Sequence, residues 1–97
     1  MINIIFNSRT FKEGESYVSV CPELNISSFG ENMDDARVGL KQAVEVFVAD
    51  CEVMGKLEEV LEEAGFDKVL EPSEIWMPRE PLSEEKMVIG GWAIFNQ

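Results

Sequence analysis

The sequence predicts an α+β domain: a small antiparallel sheet with one long helix packed across one face, in the order β-β-β-α-(α)-β. Three observations carry that expectation. Residues 32–55 hold an apolar stripe at helical spacing. Ahead of them lie segments with strand alternation, separated by turn residues. Behind them come a shorter helical pattern and a final run of β-formers.

Residues 2–11 read as the first strand, with Ile2, Ile4 and Phe6 on one face and a polar stretch from Asn7 to Thr10. Lys12-Glu13-Gly14-Glu15 reads as a turn, with Gly14 free to take a positive φ. Residues 16–21 form the second strand. Val18 and Val20 share one face; Tyr17, Ser19 and Cys21 share the other. Pro22 ends it, because proline cannot donate to a ladder. Residues 24–31 read as the third strand, with Leu24 and Ile26 opposite Phe29, and Gly30 turns the chain into the helix. Sequential strands with short connections make an antiparallel meander.

Asn32 suits an N-cap, and Asp34 and Asp35 put negative charge where the helix dipole favours it. Ala36, Leu40, Ala43, Val44, Phe47, Cys51 and Met54 then fall on one stripe, and Gly55 suits the left-handed closing residue. Residues 56–64 read as a small helix with Leu57, Val60, Leu61 and Ala64 inside. Residues 66–83 read as irregular because of Pro72, Pro78 and Pro81, with Trp76 and Met77 docking back onto the body. Residues 86–95 read as the last strand, bent at Gly90-Gly91. The long helix also has a weaker second stripe, Val38, Val46, Ala49 and Val53. It is either covered by the small helix or the Trp76 segment, or it is a homo-oligomer or partner interface.

Ninety-seven residues make one domain, 1–97, with a core in 1–54 and an accessory part in 55–97. No apolar run approaches the roughly 20 residues of a membrane span, so a cytoplasmic protein is expected. The formal charge is −11, from 8 Lys+Arg against 19 Asp+Glu. Such a balance opposes direct nucleic-acid binding, which depends on cations neutralising phosphates. It favours solubility or a basic protein partner. Arg9 and Lys12 stand in an opening stretch, residues 1–12, that contains no acid.

Catalytic parts are missing from the pattern. There is no His, no serine in a nucleophile-elbow context, and no CxxC. Cys21 and Cys51 read as small buried hydrophobes, and Asp34 with Asp35 as dipole-complementing acids. The expectation is a non-enzymatic protein with no cofactor and no metal.

The run Gly14-Glu15-Ser16-Tyr17-Val18-Ser19-Val20-Cys21-Pro22-Glu23-Leu24, followed by Gly30-Glu31-Asn32 and Asp34-Asp35-Ala36, resembles the HicB-like antitoxin family. The resemblance spans residues 2–54. It implies a partial ribonuclease-H-like fold, with a further strand beside the first three, and no ribonuclease carboxylates. Family members neutralise a small basic ribonuclease toxin, HicA, by covering its active surface. Many carry an additional DNA-binding domain, for which these residues leave no room. The resemblance therefore implies an antitoxin-like binding module. Its expected surface is Glu23, Glu31, Asp34, Asp35, Glu45 and Glu52, with Tyr17 or Phe29 as apolar anchor. The alternative is a stand-alone homo-oligomer joined through Val38, Val46, Ala49 and Val53.

Overall fold

The computed structural model describes residues 3–70 and 74–90. Its elements are β1 (Asn3–Ile4), β2 (Arg9–Glu13), β3 (Ser16–Cys21), β4 (Ile26–Gly30), α1 (Met33–Val53), α2 (Leu57–Glu63), β5 (Phe66–Val69) and β6 (Ile75–Pro78). The class is α+β, with a long helix over a meander. The strands form two three-stranded sheets, in the orders β2-β3-β4 and β1-β6-β5.

The expected first strand is two strands. Its polar middle lets the chain change sheets: β1 runs parallel to β6, and β2 runs antiparallel to β3. Gly14 takes φ +61° in the β2–β3 hairpin, the left-handed conformation that the turn needs. The third strand starts two residues later than expected. Asn25 adopts φ 57°, a turn conformation that asparagine tolerates, so Leu24 lies in the turn and Ile26 opens β4.

The α1 cap is as the sequence implies. Asn32 is extended, and its Oδ1 accepts from the Asp35 amide at 2.8 Å. The helix ends with Gly55 at φ +70° and the Lys56 amide donating to the Cys51 carbonyl at 2.9 Å. Ala36, Leu40, Val44 and Cys51 are buried along the stripe, while Met54, past the last helical residue, is exposed.

The helix-facing side of the meander is small at its centre, with Tyr17 and Ile26 towards its ends. Tyr17 pairs with Gly30, Ser19 with Ser28 and Cys21 with Ile26. Ser19 is buried, and its hydroxyl meets that of Thr10 at 2.9 Å. Cys21, Leu40 and Val44 form one core cluster, joined by Phe6, Leu24, Ile26 and Val48. Cys51, Leu57, Leu61, Phe66 and Trp76 form the other.

The second cluster corrects the reading of residues 66–83 as irregular. Phe66–Val69 and Ile75–Pro78 are paired antiparallel strands. Pro78 sits at the strand end, opposite Phe66, where its missing donor breaks little of the ladder. Buried Phe66 and Trp76 hold the hairpin against α2. Among the described residues, the further strand beside the first is β6. Of the last strand expected over residues 86–95, residues 86–90 have no regular structure, and the remainder, with Gly91, lies outside the described residues. Ile2 and Pro72 lie outside them as well.

Candidate functional site

Seven of the eight expected partner-binding residues occupy three separate places, and Phe29 lies apart from all three. The first is the entry to α1. Tyr17 ends its side chain beside Asn32, Met33, Asp34, Asp35 and Arg37, which line a shallow depression with it. Asn32 brings Asp35 close by capping, and its Nδ2 also donates to the Asp35 carboxylate at 3.3 Å. Asp34 pairs with Arg37 one turn on. Glu31 precedes the cap and is exposed. Acids gather here because the helix start tolerates them, and a half-buried tyrosine adjoins them.

The second place is further along α1. Glu45 and Glu52 stand two turns apart beside a groove whose floor includes Ile4, Phe6, Val44 and Val48. Lys41 shares the rim. The third is the far end of β3, where Glu23 is turned inward. Its carboxylate accepts from the Asn7 backbone amide at 3.4 Å and from Asn7 Nδ2 at 3.2 Å. It also accepts from the Cys21 thiol at 3.5 Å. Glu23 therefore ties the loop after β1 to the β3 turn, so a partner must compete with those bonds to use it.

The two expected anchors are on opposite sides of the sheet. Tyr17 faces α1, whereas Phe29 is opposite Val18 on the uncovered side and is 63 % exposed. That uncovered side holds a row absent from the sequence expectation. Phe11, Val18 and Phe29 align across β2, β3 and β4, with Phe11 52 % exposed and Val18 only 6 %. The sequence places Phe11 at the end of the first strand; its alignment with Val18 and Phe29 depends on the pairing register, which the sequence does not carry.

Val38, Val46, Ala49 and Val53 are all exposed, and neither α2 nor the Trp76 strand covers them. Among the described residues the stripe is open.

The remaining charged pairs brace the second sheet. The Lys68 ammonium is held above its ordinary pKa by its hydrogen bond to Glu58, at 3.1 Å, and lies 5.7 Å from the Trp76 ring centroid. Arg79 is likewise raised by its bonds to Asp67. The indole of Trp76 donates to Glu74 at 3.1 Å. Both cysteines are free and buried, and burial pushes the Cys21 thiol above its usual value. Among the described residues, no three His, Cys, Asp or Glu side chains gather as a metal site, and no helix is long and apolar enough to cross a membrane.

Compared with known proteins, the chain matches no family model, no curated protein and no solved structure.

Proposed function

We propose that this chain is a non-catalytic protein-binding module of the HicB-like antitoxin kind, acting in the cytoplasm on a small basic ribonuclease toxin of the HicA type. The observation that carries the reading is the acidic entry to α1: Glu31, Asp34 and Asp35 beside half-buried Tyr17, on a chain of net charge −11. A cationic RNA-binding surface is complementary to such a patch. Charge would speed encounter, and the tyrosine would supply desolvated contact area at low entropic cost. Glu45 and Glu52 extend the same sign along the helix. Occlusion of the toxin needs no reactive group on the antitoxin, in keeping with the absence of His from the sequence.

Co-expression with the neighbouring reading frame tests this reading. Growth arrest by that frame alone, relieved by this chain, is the expected result. Capture of the partner should weaken as salt is raised through the range in which the screening length falls from about 10 Å to 3 Å. The double substitution Asp34→Lys with Asp35→Lys should slow association while leaving the fold intact. An adjacent frame that is harmless, or capture that ignores both salt and these acids, contradicts the proposal.

A second reading rests on the open stripe Val38, Val46, Ala49 and Val53. Four aliphatic residues on one exposed helix face suit a homo-oligomer contact, with or without a toxin. Val46→Asp then dissociates the assembly and leaves the monomer folded.

A further inference from the structure

Two features remain unused. The first is an open sheet edge. Among the described residues β2 pairs only with β3, so every second backbone N–H and C=O of Arg9–Glu13 faces outward without a strand. The second is the segment after Pro81. Met87, Val88 and Ile89 are 82 %, 89 % and 83 % exposed, and Leu82 is exposed too. Consecutive β-branched and aliphatic residues are poorly suited to lie in water, and well suited to an added strand.

Beyond Glu84 the segment stands clear of its own body. Pro78 and Pro81 flank Arg79 and Glu80 where the chain passes Asn7 and Arg9, beside a depression that Leu82 and Glu84 also line, and neither proline has an N–H to give to a ladder. The radius of gyration is 17.3 Å, with a longest extent of 57 Å. A compact domain of this length would have about 12.5 Å.

We infer that the chain docks on a second copy of itself by strand addition, with residues 84–89 of one copy pairing along the open edge of β2 in the other. Charge selects that edge. β2 carries Arg9 and Lys12 against one acid, Glu13, whereas the other edge of the same sheet, β4, carries no cation and runs into Glu31, Asp34 and Asp35. The incoming segment leads with Glu84 and Glu85 ahead of a single cation, Lys86, so its net negative charge suits the first edge and is repelled by the second. Once added, Met87 and Ile89 share a face of the new strand. They can lie beside Phe11 and lengthen the uncovered row Phe11, Val18 and Phe29. Each copy offers both a donor segment and an acceptor edge, so reciprocal exchange closes into a two-fold dimer. The contact is independent of any toxin and of the α1 stripe.

The experiment is mass measurement by light scattering on the full chain, with amide exchange at β2. The wild type should show twice the 10.9 kDa chain mass, with slow exchange at the outward amides of β2. Val88→Asp with Ile89→Asp, or Arg9→Glu with Lys12→Glu, should each return the mass to one chain and release those amides. All of these positions are exposed, and unchanged circular dichroism reports that the fold survives. Adding Glu84→Lys and Glu85→Lys to the β2 reversals should restore the dimer. Three outcomes overturn the inference: a monomer with protected β2 amides, which means docking within one chain; a monomer with unprotected amides; or a dimer that ignores these changes and yields to Val46→Asp.

Discussion

Gly30→Ala is the sharpest test of how α1 sits on the sheet. Gly30 ends β4 just before the helix cap, and a Cβ there would collide with the Ala36 backbone nitrogen. It would also stand 2.8 Å from both the carbonyl carbon and the Cβ of Asp35. Two of these three atoms are backbone in the first helical turn, so relief requires moving the helix. Overpacking of this kind costs roughly 1–3 kcal/mol, and immovable neighbours put this site near the top of that range. Replacing glycine also restrains the unfolded chain, which returns about 0.4–1 kcal/mol. The net loss is about 2 kcal/mol. At roughly 4–8 °C per kcal/mol for a domain of this size, Tm should fall by roughly 8–16 °C. Thermal unfolding followed by circular dichroism measures it, and amide exchange should show the first turn of α1 losing protection. The control is Gly14→Ala, where nothing lies within 4 Å and only the φ of +61° resists a side chain. That change should cost about 1–2 kcal/mol with α1 untouched. A Tm loss below about 4 °C for Gly30→Ala would refute the close approach.

Further predictions follow from the same interface and from the core. Gly39→Ala brings a Cβ against the Ser28 hydroxyl and 3.3 Å from the Ser28 Cβ. Its helix-propensity gain of about 1 kcal/mol should appear only when Ser28→Ala removes the oxygen. A double-mutant cycle should give coupling above about 0.5 kcal/mol, and additive effects would count against the contact. For the Cys21 thiol, burial is the leading cause of the upward shift, partly opposed by the Leu24 amide. The folded thiol holds its proton longer than the unfolded one. Its contribution is therefore complete below the unfolded value of about 8.5 and is lost as pH rises through the folded one. Denaturant unfolding from pH 8 upward should show the wild type losing stability faster than Cys21→Ala; parallel curves would contradict this. Trp76→Ala removes a buried ring from the second cluster and should cost about 3–5 kcal/mol, with β5 and β6 exchanging first.

The legible parts of the fold were those set by local chemistry. Asn32, Asp34, Asp35 and Gly55 fix α1 through capping and dipole, and the Val/Ser alternation of residues 16–21 fixes β3. The hairpin of β5 and β6 was hidden because its proline stands at a strand end, where the cost depends on which partner lies opposite. The split of the first strand was hidden for a similar reason, since β1 takes its partner from a segment near residue 75. The acidic positions were readable one by one. Their distribution was not, because period two put Tyr17 and Phe29 on opposite faces and because the inward hydrogen bonds of Glu23 depend on Asn7.

The pairing of Asn3 with Ile75 sets an order of events during synthesis. The β2-β3-β4 meander and α1 are complete in the nascent chain long before β6 leaves the ribosome. Until then, Phe47 and Cys51 near the end of α1 lack the cover of Leu57, Leu61, Phe66 and Trp76. The emerging protein thus passes through a half-closed state with a greasy helix end, a natural holding point for a chaperone. Proteolysis of stalled chains should cut near residue 50 before Trp76 emerges and spare that site afterwards; equal cutting at both lengths would dismiss this sequence of events.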